Sequence, residues 1–177
     1  MNRSPLPVIG FVAPSGTGKT TLIRRLLSFL RAQGIRVGYL KHTHHRFDLD
    51  QPGKDSFEVR SAGASQVILA SRLRWALLVE NEQALPEPDL WAMLARFDPT
   101  TLDLVLAEGF KHERYPKIEV YRAAINQPPL YPQDPDIIAL VTDDPPPVMP
   151  HPPVLAFAQI EVLAALICKH LGLSTQP

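Results

Sequence analysis

A single cysteine, Cys168, stands among 177 residues, so no disulfide forms within the chain and no cysteine-based metal motif is available. A reduced, cytoplasmic setting is expected. Eighteen basic residues against eighteen acidic ones leave no net charge, which removes the global field that draws proteins to nucleic acid or anionic membranes. No apolar run approaches the ~20 residues of a membrane span, and Met1 to Pro7 lacks the long apolar core of a signal peptide. Glycine is sparse, with nine residues, and two of them fall at the one place where the chain is most telling. Proline is abundant at nineteen and clusters, four between Gln127 and Pro135 and six between Pro145 and Pro153. Proline cannot donate to a sheet ladder, so these clusters are expected to be surface connecting loops. The length suits one well-buried domain spanning residues 1–177.

The telling place is Ala13-Pro14-Ser15-Gly16-Thr17-Gly18-Lys19-Thr20-Thr21. An apolar run, Val8 to Val12, precedes it, and a helical pattern of Leu22, Ile23, Leu26, Leu27 and Leu30 follows. Strand, glycine-rich turn and helix in that order wrap backbone N–H groups around phosphate oxygens. Gly16 and Gly18 let the backbone approach, Lys19 offers a point charge to the outer phosphates, and the Thr20 hydroxyl suits Mg²⁺. The helix directs its positive dipole end at the same anion. Ala13 stands where this pattern has its first glycine.

The remaining punctuation predicts an α/β fold of P-loop type, with a mostly parallel central sheet flanked by helices and an additional strand pair. A strand over roughly 7–13, a helix over roughly 19–33 closed by Gly34, and a strand from Ile35 to Leu40 form a first parallel unit. Asp55-Ser56-Phe57-Glu58 resembles a capping box that opens a short helix ending near Gly63. Gln66–Ala70 and Trp75–Glu80 are apolar runs separated by four residues, as in a hairpin. A helix carrying Leu90, Trp91, Leu94 and Phe97 follows Pro86-Glu87-Pro88. Further strands are expected at Leu102–Ala107, Ile118–Tyr121, Ile137–Thr142 and Val154–Phe157, before a closing helix over 159–171.

Three other groups of residues carry chemistry. Glu108-Gly109 ends the apolar run Leu102–Ala107, where an acidic side chain lies beside the phosphate loop and serves Mg²⁺ or its water. Lys111, just beyond, adds charge for phosphates or base. The loop Lys41-His42-Thr43-His44-His45-Arg46-Phe47-Asp48-Leu49-Asp50 reads first as a switch or substrate loop, in which Asp48 completes Mg²⁺ coordination. A solvated loop ranks next, and a zinc site last, since no cysteine lies near. Asp143, in Val141-Thr142-Asp143-Asp144, is the candidate for reading the guanine edge.

Together these segments resemble the molybdopterin-guanine dinucleotide biosynthesis protein B (MobB) family. The matching residues are Ser15 to Thr21, Lys41 to His45, Pro52-Gly53-Lys54-Asp55-Ser56, Arg60 with Ala62-Gly63-Ala64, Glu108-Gly109-Phe110-Lys111, and Thr142-Asp143. The resemblance implies a GTP-binding adapter with weak GTPase activity that dimerises through an extended sheet. It also implies a partner, the guanylyltransferase that attaches GMP to molybdopterin, with other molybdenum cofactor enzymes as further partners. On this basis GTP and Mg²⁺ are the expected cofactors, Lys19 and Glu108 the catalytic pair, and Thr20, Glu108 and Asp48 the metal ligands. Two other classes remain open: a P-loop small-molecule kinase, for which Arg72 and Arg74 form only a thin lid, and a metallochaperone-type GTPase suggested by the histidines.

Overall fold

The structure is a computed structural model that describes residues 6–43, 47–81, 83 and 87–173. The chain divides into two compact units, one formed by residues 1–42 and 89–177 and the other by residues 43–88.

The larger unit is built on β1 (Val8–Val12), whose five residues are all buried. A strand without polar alternation is one covered on both faces, and its neighbours confirm this. β5 (Leu104–Glu108) pairs parallel to it on one side and β6 (Lys117–Val120) on the other. With β2 (Val37–Lys41), β7 (Ile137–Val141) and β8 (Val154–Leu155), the sheet runs β2-β5-β1-β6-β7-β8, parallel throughout. The chain fills the sheet to one side of β1 first and then to the other. The carboxyl end of β1 is therefore the switch point where ligands of parallel sheets collect.

The two-residue period of a strand sorts the core into layers. Ile9, Phe11, Leu104 and Leu106 point to one face, where they meet Leu22, Ile23, Leu26 and Leu30 of α1 (Lys19–Ala32) and Leu163 and Ile167 of α4 (Ile160–Leu171). Val8, Val105 and Ala107 point to the other, against Leu90 and Leu94 of α3 (Leu90–Leu94). Asp89 caps α3 by accepting from the Ala92 N–H at 2.7 Å. β2 is fastened to β5 at its start by Arg36, whose Nη2 and Nε donate to the two carboxylate oxygens of Asp103 at 2.8 and 3.1 Å. That guanidinium holds the Asp103 carboxyl below the usual carboxylate range.

The proline-rich segments are connectors without helix or strand, but the expectation that they lie on the surface fails at Tyr131, which is fully buried. The Glu119 carboxylate on β6 accepts from the Leu130 and Tyr131 N–H groups at 2.7 and 2.8 Å. The Tyr131 hydroxyl in turn donates to the Val148 carbonyl, stapling the two loops together. Burial pushes the Glu119 carboxyl up, against those two N–H bonds.

The smaller unit holds α2 (Asp55–Ser61) and the antiparallel pair β3 (Gln66–Ala70) and β4 (Trp75–Val79), the hairpin anticipated from the apolar runs. The capping box does not form. Lys54 occupies the cap position without a side-chain bond, so Asp55 is already the first helical residue. Glu58 is thereby one position too far along and reaches back to the Gly53 N–H at 3.3 Å, while Ser56 donates to Asp50 at 2.9 Å. Arg60 ties the unit together, pairing with Asp48 at 2.6 Å and Glu80 at 2.9 Å and lying 5.2 Å from the Phe57 ring centre. Among the described residues no helix is long and apolar enough to cross a membrane.

Candidate phosphate-loop site

The loop from Ala13 to Gly18 leaves β1 at the switch point and turns directly into α1. Gly16 and Gly18 take positive φ values of 83° and 90°, a region that costs a side-chain-bearing residue but not glycine. Between them Thr17 is buried and donates from its hydroxyl to the Pro14 carbonyl at 3.1 Å, bracing the turn. Ser15, Thr20 and Thr21 are exposed. The first turn of α1 carries no acidic residue, so nothing on the helix offsets its positive end.

Lys19 folds back over this loop. Its Nζ donates to the Ala13 carbonyl at 3.1 Å and stands 3.6 Å from Glu108 Oε1. Glu108 ends β5 beside Phe11 of β1 and is buried. Two further groups face it from β2, where Lys41 is its register partner on the neighbouring strand. Lys41 Nζ lies 3.8 Å from Oε1, and the Tyr39 hydroxyl donates to Oε2. Burial, and then that bond, push the Tyr39 phenol up. Gly109 follows with φ 94°, and a Cβ there would stand 2.9 Å from the His42 Cβ, so only glycine lets the strand end pass β2 this closely. The His42 ring lies 5.0 Å from that of Phe110.

The structure thus gathers Ser15 to Thr21 and Glu108 at one strand end. Glu108 offers a buried carboxylate and Thr20 an exposed hydroxyl, donors of the kind that suit Mg²⁺, which takes one or two protein oxygens and draws the rest from phosphates and water. Asp143 lies at the end of β7, on the far side of β1 from Glu108; it is exposed, and its Oδ1 accepts from the Phe157 N–H at 3.0 Å. Lys111 is exposed, and its carbonyl accepts from Lys117 Nζ at 3.3 Å. Among the described residues no hydrogen bond or ion pair joins the Lys111 side chain to the phosphate loop. Asp48 is engaged by Arg60 within the smaller unit, and that bond holds its carboxyl below the ordinary range. His44 and His45 lie outside the described residues, and no cluster of three His, Cys, Asp or Glu is found among the described ones.

Sequence reasoning missed Arg122. Its Nε donates to the Thr17 carbonyl at 2.8 Å, and its guanidinium carbon lies 4.5 Å from the Phe157 ring centre. The signal available was positional: Arg122 lies just past the carboxyl end of a buried parallel strand, as Asp143 does, and Glu108 closes another.

A six-stranded parallel sheet flanked by helices, with a glycine-rich loop at its switch point and an acidic residue closing the adjacent strand, defines a P-loop-type α/β protein. Residues 8–143 match the family model described as molybdopterin guanine dinucleotide synthesis protein B, MobB. The chain belongs to this family. It is 48% identical over 144 residues to the molybdopterin-guanine dinucleotide biosynthesis adapter protein of Escherichia coli, covering 81% of this chain and 82% of that one. It is 44% identical to the adapter protein of the same name from Haemophilus influenzae, covering 81% and 78%. The crystal structure of a MobB homolog from Bacillus stearothermophilus superposes with a TM-score of 0.67 at 25% identity, over 97% of this chain and 99% of the other.

Proposed function

We propose that this chain is a GTP-binding adapter in molybdopterin guanine dinucleotide biosynthesis, with slow Mg²⁺-dependent hydrolysis, and not itself the guanylyl transferase. The observation that carries the nucleotide half is the Lys19–Glu108 pair, 3.6 Å apart across the mouth of a loop whose glycines hold positive φ. The adapter half comes from the names of the Escherichia coli and Haemophilus influenzae relatives. Its partner on this reading is the enzyme that joins GMP to molybdopterin.

Lys19, now on the Ala13 carbonyl, would supply its charge to the triphosphate, and the loop N–H groups would hold the phosphate oxygens. Thr20 and Glu108 would hold Mg²⁺, which would neutralise charge on the outer phosphates. Tyr39 and Lys41 keep the Glu108 carboxylate aimed at that position. Turnover without a partner is expected on the order of 10⁻⁴–10⁻³ s⁻¹, as in P-loop proteins lacking a complete in-line apparatus.

Asp143 is the proposed base reader. The Phe157 N–H anchors its carboxylate through Oδ1, and that carboxylate would accept the paired donors of guanine, which adenine lacks. Competition titrations with GTP, ATP and XTP test this. The wild-type chain should prefer GTP, and Asp143→Asn should lose that preference and gain XTP, whose C2 carbonyl matches an amide donor. A variant that keeps the wild-type order moves base reading elsewhere.

The homodimer is proposed to form through the hairpin of the smaller unit. Gln66, Ile68 and Ala70 of β3 share one face with Trp75, Leu77 and Val79 of β4. Ile68 and Trp75 there are 66% and 70% exposed. An isolated two-stranded hairpin is marginal in water, and a second copy would cover both its apolar face and its open edges. Ile68→Lys combined with Leu77→Lys should convert a dimer to a monomer in light scattering at micromolar concentration. A double variant with the mass of the wild-type assembly would place the interface elsewhere.

A further inference from the structure

The proposed nucleotide site has two sides, and the groups around the phosphate-facing carboxylate occupy one of them. Glu108, Lys41 and Tyr39 all stand on β5 and β2, to one side of β1. A carboxylate that holds Mg²⁺ marks where the terminal phosphates lie, so the nucleoside must extend the other way, over the carboxyl ends of β6, β7 and β8. Three loops meet there. Arg122 lies just beyond β6, Asp143 just beyond β7 and Phe157 just beyond β8.

These three residues form one connected piece. Arg122 Nε donates to the Thr17 carbonyl in the phosphate loop, and its guanidinium lies over the Phe157 ring. The Phe157 N–H donates to Asp143, and the Phe157 carbonyl accepts from Arg25 Nη1 of α1 at 3.0 Å. Backbone bonds thus fix Phe157 from both sides, and the ring is only half-buried. The two terminal nitrogens of Arg122 have no hydrogen-bond partner among the described residues, although the side chain is also half-buried. At Gly18 a Cβ would stand 3.4 Å from Phe157 Cε1 and 3.7 Å from Arg122 Nη2, so ring and guanidinium both abut the phosphate loop. A planar cation and a ring, held rigidly beside a phosphate loop and a base-reading carboxylate, have the chemistry to stack a flat heterocycle.

We infer that Arg122 and Phe157 form the stacking platform for the nucleoside of a bound purine nucleotide, and that Arg122 couples base occupancy to the phosphate loop through Thr17. The inference rests on the nucleotide-binding reading of the same loop and assigns its second half. A platform of this kind stabilises purine nucleotides in general, and the choice between purines falls to the neighbouring Asp143.

Calorimetric titration of the full chain with GTP and with inorganic tripolyphosphate tests it. Arg122→Ala and Phe157→Leu should each weaken GTP about tenfold, the size of one lost base stack, while tripolyphosphate changes by less than about threefold. Phe157→Leu keeps the Thr17 bond and an apolar side chain, so its loss is that of the π-face. Lys19→Ala, in contrast, should weaken both ligands. Equal losses of GTP and tripolyphosphate in Arg122→Ala, with Phe157→Leu unchanged, would overturn the platform and place Arg122 on the phosphates. Both variants at wild-type affinity for GTP would overturn it while leaving the nucleotide site standing. A wild-type chain that binds neither ligand removes the nucleotide reading, and the platform with it.

Discussion

Replacing Lys19 by alanine should weaken GTP binding at least about tenfold, because a charge-assisted contact to phosphate contributes on the order of 1.5–3 kcal/mol. The melting temperature should hardly move. Lys19 packs in none of the apolar clusters: its Nζ reaches the Ala13 carbonyl of its own loop and the Glu108 carboxylate. When it is removed, Glu108 keeps the Tyr39 hydroxyl and Lys41 as partners, so no buried charge is abandoned. A fluorescent-nucleotide titration beside a thermal melt separates the two effects. Unchanged affinity in a folded variant would remove the phosphate-loop assignment. A collapse in melting temperature would mean that the Lys19–Glu108 pair is a structural strut.

The contrast between Lys19 and its neighbours shows which parts of the site the sequence carries. Ser15 to Thr21 are legible because the whole feature is local, a turn whose positive φ angles must fall on glycine. Glu108 is legible because a strand buried on both faces has to end somewhere, and a carboxylate at that end is conspicuous. Lys41 is different. It reads as part of a histidine-rich loop, and only the strand order, which places β2 beside β5 rather than beside β1, turns it towards Glu108. Arg122 and Phe157 lie thirty-five positions apart and meet only because β6, β7 and β8 end side by side, a juxtaposition that no periodicity encodes. The slip at α2 is one of register. Asp55-Ser56-Phe57-Glu58 has the letters of a capping box, but the helix begins one residue early and its side chains answer to Asp50 and Gly53 instead. Tyr131 illustrates the same limit from the other direction, since proline on both sides signals a loop but not the Glu119 carboxylate that draws that loop inward.

Lys117→Met is expected to be the most damaging change to the fold, and the reason is electrostatic rather than volumetric. Lys117 is only 2% exposed, at the start of β6, and its Nζ donates to Asp134 Oδ2 at 2.7 Å and to the Glu113 and Lys111 carbonyls at 2.7 and 3.3 Å. The Tyr115 ring centre lies 5.6 Å away. β1 leaves room for the stem, since a Cβ on Gly10 would stand 2.7 Å from Lys117 Cγ. Methionine fills nearly the same space but removes every donor at once, leaving a carboxylate and two carbonyls facing a thioether. Breaking a buried pair from one side costs about 3–5 kcal/mol, and the lower end applies because Asp134 keeps some access to water and a bond from the Asp136 N–H. For a chain of this length, about 3 kcal/mol corresponds to a fall of roughly 6–12 °C in Tm by calorimetry. Adding Asp134→Asn should restore part of that fall, because the neutral amide no longer needs a cation and can donate to a freed carbonyl. A single variant that melts within about 2 °C of wild type would show that water entering beside Asp134 solvates the orphaned groups as well as the lysine does.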